Sequence, residues 1–261
     1  WEEQALKIKR ASTNLRGKND RQDAIRIAEY AARYNDRQKL YQFPDQEVKT
    51  LSALTKSRDT LVGQRVMIAN QLKEAKSHDP KLYKVLADSY KATLRALDQS
   101  IKKLEEQVEA LIAKTETLNK NKQLLESVTA IGPQIENNLI IATYNFKDFE
   151  SAKQLACYAG VVPFENQSGT VIKRARVSSL ANKKLKALLH LAAMCAIRYD
   201  QELKAYYIRK VNDGKNKMSV INAVRNKLVH RIMAVIQRQT PFIKSQEGYY
   251  QNSNQNACLS S

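Results

Sequence analysis

The strongest constraint in the sequence is a heptad stripe. Leu94, Leu97, Ile101, Leu104, Val108, Leu111, Thr115 and Leu118 follow one another in alternating steps of three and four, while the positions between them carry Lys, Glu and Gln. That spacing puts all of them on one seam of an α-helix, so the stretch needs a partner helix along its length. The preceding segment supplies one. Leu54, Leu61, Ile68 and Ala75 fall seven apart, with Val48, Leu51, Val62 and Leu72 nearby, between the turn signal Phe43-Pro44-Asp45 and the break Ser77-His78-Asp79-Pro80. Two helices of about 30 residues, each about 45 Å long, joined by so short a link are expected to fold back as an antiparallel coiled-coil hairpin over 43–120. Such an arm is too thin to be a catalytic core; it is either a dimerisation or spacing arm or a plain intramolecular hairpin. With only 7 Gly and 5 Pro among 261 residues, the chain lacks the turn punctuation that many short strands require. The expected fold class is mainly α.

The arm divides the chain. Before it, Ala24, Ile27, Ala28, Ala31 and Ala32 recur at helical spacing after Arg16-Gly17, predicting a helix from about Asp20, its cap, to Leu40. After it, Leu124, Leu125, Val128 and Ile131 precede Gly132-Pro133, and Ile135, Leu139, Ile140 and Ile141 follow. Helix, Gly-containing turn, helix is the layout of a helix-hairpin-helix element, whose amides near Gly132 can receive a DNA phosphate; an ordinary helical corner has the same pattern. Tyr158-Ala159-Gly160-Val161-Val162-Pro163 then leads into a stretch, Phe164 to Val177, that reads as a polar loop holding Ser168-Gly169. Apolar stripes predict a helix from Leu180 and a last one from about Ser219 to Gln239, stopped by Pro241. The domains expected are 1–42, the arm 43–120, a helical domain 121–245, and a Gln, Asn and Ser-rich tail, 246–261, expected to be disordered.

Charge is concentrated in the third of these. The chain carries 44 Lys+Arg against 26 Asp+Glu, a net charge of +18; residues 165–240 hold 16 of the cations and only 4 of the acids, a surplus of 12. Lys173, Arg174 and Arg176 follow the Ser-Gly pair, and Lys183, Lys184 and Lys186 open the next helix. A surplus so one-sided is the mark of a surface that grips phosphates. Three scattered cysteines, Cys157, Cys195 and Cys258, argue against a disulfide framework, and no apolar run approaches the roughly 18–20 residues of a membrane span. The expectation is a cytoplasmic bacterial protein, acting at the nucleoid, with no membrane partner.

Two sets of residues could carry chemistry. Asp20 and Asp23, at positions i and i+3, project from neighbouring points on one helix face and could share a Mg²⁺, although acids at a helix start also suit its dipole. Ser168, in a Gly-flanked loop among cations, could attack a DNA phosphodiester, since nearby Arg and Lys stabilise the charge of the transition state; a serine before glycine is also common in plain turns. His78, His190 and His230 read as surface, core and surface.

Taken in this order, Gly17-Lys18-Asn19-Asp20-Arg21-Gln22-Asp23-Ala24, the arm, Val128-Thr129-Ala130-Ile131-Gly132-Pro133 and Tyr158-Ala159-Gly160-Val161-Val162-Pro163 through Ser168-Gly169 resemble the transposases of insertion-sequence family one-ten. The resemblance runs to about residue 242. It implies an N-terminal RuvC-like domain with an Asp-Glu-Asp-Asp metal quartet, a coiled-coil arm that helps assemble dimers or tetramers, and a C-terminal transposase domain with a serine nucleophile. It further implies a structured noncoding bridge RNA that pairs with donor and target DNA. Carried over by motif, Asp20 and Asp23 match the last two acids of the quartet, holding Mg²⁺, and Ser168 matches the nucleophile. The first Asp and the Glu of the quartet would lie upstream of Trp1, so this chain is expected to be the C-terminal part of a longer one and inactive alone. Where the family usually places Gly before Asn, this sequence has Ala181-Asn182, which predicts a tighter or differently shaped turn. The competing expectations are a non-catalytic DNA- or RNA-binding remnant and, failing to explain the basic surplus, a coiled-coil scaffold.

Overall fold

The structure, a computed structural model, describes residues 2–12, 19–38, 40, 41, 43–168, 171–177 and 180–243, with backbone alone along 163–168 and 171–176. The tail expected to be disordered, 246–261, lies outside the described residues. The chain divides into two units, 1–44 and 45–261.

The first unit holds α1 (Ala5–Ala11), α2 (Asp20–Arg33) and a single 3-10 turn at Asn35–Arg37. The cap of α2 is Asn19 rather than Asp20: its side chain accepts the N–H of Gln22 at 2.8 Å, which leaves Asp20 inside the first turn. The helix ends at Arg33, short of Leu40, where Tyr34-Asn35-Asp36 brings in residues of low helix propensity. Two side chains of α2 reach α1 and the residues just before it: the Tyr30 hydroxyl donates to Glu3 at 3.0 Å and Arg33 to the carbonyl of Ala11 at 3.3 Å. Among the described residues of this unit no apolar side chain is buried, and Ile25 and Ile27 are half exposed.

The second unit begins with the arm. α3 (Gln46–His78) and α4 (Pro80–Lys114) are separated by Asp79 alone. Asp79 turns the chain by capping α4, accepting the N–H groups of Lys81 at 2.8 Å and Leu82 at 3.2 Å, while Pro80 takes the first helical position, where no donor is needed. The two helices run antiparallel, their register fixed by Arg58 to Glu105 (2.9 Å), Arg65 to Asp98 (2.5 Å) and Tyr90 to Gln71 (3.2 Å). At the root, Val48, Leu51, Val108 and Ile112 are buried; further out, Leu61, Ile68, Leu97, Ile101 and Leu104 are only half-buried, because two helices cover each other's seam from one side. The heptad stripe outlasts the arm. α4 stops at Lys114, and Leu118 sits on a new helix, α5 (Glu116–Glu126), in the core of the following domain.

That domain comprises α5, α6 (Pro133–Ala142), α7 (Ala152–Tyr158), strands β1 (Pro163–Ser168) and β2 (Val171–Val177), α8 (Lys183–Tyr199), α9 (Gln201–Asn212) and α10 (Lys217–Arg238). α10 is its axis: α5, α7, α8 and α9 pack around it, and Val224, Leu228, Val229 and Ile232 meet Leu185, Leu189, Ala193 and Leu125 in one core. The mainly α expectation holds, with one correction. The stretch read as a polar loop is an antiparallel β-hairpin, the strands pairing Pro163 with Val177, Phe164 with Arg176, Asn166 with Lys173 and Ser168 with Val171. β-branched Val171, Ile172 and Val177 favour that extended form. A bulge sets Arg174 and Ala175 opposite Glu165, which breaks the period of two by which a strand is recognised.

Candidate nucleic-acid interface and strand-transfer site

The β-hairpin is held at its base by a close approach. Gly160 lies at φ +66°, and a Cβ built on it would stand 2.5 Å from the Cβ of Ala181 and 3.2 Å from Cγ1 of Val177. Only glycine fits, for both its conformation and its missing side chain. The methyl of Ala181 therefore packs where Gly160 makes room, which is how this turn accommodates Ala before Asn. Asn182 completes the clamp: its N–H donates to the carbonyl of Tyr158 at 2.8 Å, its amide to the Tyr158 hydroxyl at 3.1 Å, and its Oδ1 caps α8 through the N–H of Leu185 at 3.0 Å. Asn222 of α10 donates to the carbonyl of Val161 at 2.6 Å, fixing the entry to β1.

From that clamp the hairpin carries Ser168 to its far end. Ser168 is the last residue of β1, its backbone closing the ladder opposite Val171; Gly169 and Thr170 lie outside the described residues. Lys173, Arg174 and Arg176 are on β2. β2 leads into α8, whose first turn holds Lys183, Lys184 and Lys186 and no acid. Cations there oppose the helix dipole, so the arrangement suits an anionic partner better than it suits the isolated helix. Lys183 is exposed and Lys186 half-buried. Lys184 is engaged by Asp59 of the arm, so the helix start is tied to α3.

Sequence reasoning missed two polar features behind this surface. Arg225 of α10 is buried, donating from Nη2 to Nδ1 of His190 at 3.0 Å, and burial holds its guanidinium below the ordinary value. His190, read as a core residue, is half-buried and accepts this bond; His78 and His230 are exposed, as read. The other is Glu136. Gly132 caps α6 with extended backbone, in open space where a Cβ would touch nothing within 4 Å, whereas the left-handed residue of the α5–α6 turn is Ala130, at φ 72°. One turn into α6, Glu136 is wholly buried, with both carboxylate oxygens unpartnered.

Burial, reinforced by Glu126, raises the Glu136 pKa from 4.5 to about 7, against the opposing pull of Lys122. The unfolded chain loses this proton near 4.5 and the folded chain only near 7, so the contribution of this group to stability is fully present below 4.5, is lost across that interval and changes no further above it. Glu136→Gln is expected to abolish that loss. In thermal unfolding it gains about 3 kcal/mol over the parent at pH 8 and little at pH 4.

Asp20 and Asp23 lie on the first turn of α2, in the first unit. Both are exposed, and Asp23 accepts from Arg26 at 2.7 Å. Two hard carboxylates one turn apart suit Mg²⁺ as donors. Among the described residues, however, no group of three His, Cys, Asp or Glu side chains is placed to hold a metal ion.

Comparison with known proteins bears on both ends of the chain. A family model described as "Transposase IS116/IS110/IS902 family" matches residues 122–208, and a second transposase model, the DEDD type of IS110, matches residues 2–75. The pilin gene-inverting protein of Moraxella bovis is 33% identical over 238 residues, covering 89% of this chain and 70% of the relative. This chain belongs to the IS110 transposase family. The counterpart from Moraxella lacunata is 32% identical over 238 residues, with the same coverage. The transposase of insertion element IS1111A from Coxiella burnetii is 25% identical over 255 residues, or 86% of this chain and 68% of its own length. Within this transposase, the match over 2–75 takes in Asp20 and Asp23, and that over 122–208 takes in Gly132, Ser168, Asn182 and the cations from Lys173 to Lys186. No helix among the described residues is long and apolar enough to cross a membrane.

Proposed function

We propose that this IS110-family transposase cleaves and exchanges DNA strands through Ser168 as nucleophile, with Asp20 and Asp23 contributing to a Mg²⁺ site and a bridge RNA choosing the DNA. One observation carries the reading: the serine ends the strand of a hairpin whose other strand holds Lys173, Arg174 and Arg176 and which runs into the three lysines of α8. In the step proposed, Ser168 Oγ attacks a phosphodiester phosphorus, the bond to the leaving deoxyribose oxygen breaks, and the serine proton ends on that oxygen. Attack on the phosphoserine ester by a different deoxyribose hydroxyl restores the serine and joins the exchanged strand, so no phosphodiester is lost. The cations offset the charge of the crowded phosphate. Mg²⁺ would supply Lewis-acid stabilisation of the phosphoryl oxygens. The first unit would be the end of a RuvC-like domain, the arm a coiled coil that pairs copies of the chain into dimers or tetramers, and α5–α6 a helix-hairpin-helix that receives a phosphate near Gly132. The curated relatives' names, gene inversion and transposition, both describe rearranged DNA.

The test is strand exchange between marked DNA junctions by the full-length reading frame with the flanking noncoding region of its element. Products that require that RNA and Mg²⁺ support the reading; nucleic-acid binding without exchange under every condition favours the non-catalytic alternative. The phosphate grip has its own measure. Lys183→Gln, Lys184→Gln and Lys186→Gln together are expected to lower the slope of log K against log salt for DNA binding by about 2–3, and an unchanged slope removes α8 from the interface.

A further inference from the structure

Two arginines of α10 differ in how their charge is met. Arg231 holds two carboxylates, Asp200 at 2.6 Å and Glu202 at 2.5 Å. Arg225 is only 7% exposed and holds none; its partner is the ring of His190, with Nη2 3.0 Å from Nδ1. Neither α8 nor α10 contains an Asp or Glu that could serve it, and the two acids at the start of α9 are those already on Arg231. Buried charges are as a rule paired, because an isolated one is costly to desolvate. An arginine kept buried beside a ring that brings no negative charge calls for an anion from elsewhere.

Hydrogen-bond chemistry decides what fits. A guanidinium only donates, so Nδ1 of His190 accepts and the ring proton sits on Nε2. Nε of Arg225 is closed off without a partner. Nη1 of Arg225 and Nε2 of His190 also lack a partner among the described residues, yet neither is closed off. The pair therefore offers two donors, one on each residue, and no acceptor, which suits the oxygens of an anion. Its place in the fold narrows the anion further. Lys186, one turn before His190 on α8, brings its Cδ to 3.6 Å from where a Cβ on Gly160 would stand. Asn222, one turn before Arg225 on α10, reaches the carbonyl of Val161. On both helices the turn before the pair thus touches the chain that enters β1.

We propose that Arg225 and His190 bind one backbone phosphate of the nucleic acid, Nη1–H of the arginine and Nε2–H of the histidine donating to its oxygens, and so hold a strand near the base of the hairpin that carries Ser168. The source of the phosphate rests on the nucleic-acid reading above, but the test needs no recombination. The chain has 3 histidines, so their ring signals separate in proton–carbon correlation spectra of the full chain. The His190 signal, assigned by its loss in His190→Gln, is expected to move with inorganic phosphate and with a short DNA duplex, and to stay in place with adenosine. Movement with inorganic phosphate alone means a free-anion site and overturns the nucleic-acid assignment; no movement with phosphate or duplex, or equal movement with adenosine, overturns the site itself. Binding of the duplex supplies a second readout. Arg225→Gln should lower the slope of log K against log salt by about 0.9, the share of one phosphate contact. His190→Leu, which removes a donor but no charge, should weaken binding severalfold at an unchanged slope. Melting curves verify that each variant is folded, and parental binding by both folded variants overturns the proposal. Should Arg225→Gln fail to fold, the His190 signal of the parent protein decides. Failure here with strand exchange intact removes only this phosphate site, whereas phosphate binding without strand exchange sinks only the recombinase reading.

Discussion

Ser168→Ala in the full-length transposase is expected to lower strand exchange by about 10³-fold or more while leaving DNA binding and its salt dependence essentially unchanged. The substitution removes one oxygen at the end of β1, where the backbone pairing with Val171 involves no side chain. Nothing else in the proposed chemistry can take over, because the attacking atom is lost. The cations remain, so the phosphate grip remains. Parallel loss of binding and exchange would mean that Ser168 is a structural turn residue, and exchange at the parental rate would assign the nucleophile elsewhere.

Gly160→Ala is expected to be strongly destabilising. A left-handed alanine costs about 1–2 kcal/mol, and a Cβ placed 2.5 Å from that of Ala181 and 3.2 Å from Val177 forces the clamp apart, adding about 1–3 kcal/mol of overpacking. Together these consume much of the about 5–15 kcal/mol that holds an ordinary domain folded. The two contributions separate in a double-mutant cycle. Ala181→Gly removes the colliding methyl but not the unfavourable φ, so it should restore about half of the loss in the Gly160→Ala background. Denaturant unfolding measures both; a loss under about 1 kcal/mol, or no rescue by Ala181→Gly, contradicts the close approach between residues 160 and 181.

The arm was the most legible part of the fold, because a seam of Leu and Ile at steps of three and four with Asp79-Pro80 as its turn admits few other structures. Its end was not legible: the stripe runs through Thr115 into α5, since the same apolar face that seals the arm also suits the core below. α8 and α10 were readable for a similar reason. The β-hairpin was hidden, because the bulge at Arg174 and Ala175 interrupts its alternation and its cations resemble those of a loop. Short α7 and α9 also passed unremarked, being too brief or too polar to declare a stripe. At the candidate site, residue types that carry a motif stood out, as Ser168 and the α8 lysines did. Residues whose importance comes from burial or approach did not. Glu136 reads as a surface acid until its burial is seen, and Ala181 as a plain substitution until Gly160 is seen beneath it. Asn182 had a usable signal, an Asn directly before a lysine-rich apolar helix, which is the pattern of an N-cap.

Covalent capture tests the central claim most directly. Full-length transposase, with its noncoding RNA and Mg²⁺, is incubated with a target DNA nicked just beyond the expected cleavage point, so that the leaving strand diffuses away and the ester cannot reverse. After denaturation and digestion by protease and nuclease, mass spectrometry should find a nucleotide phosphate esterified to the peptide containing Ser168, absent from Ser168→Ala. An adduct on any other residue, or efficient strand exchange with no protein–DNA adduct at all, would contradict it.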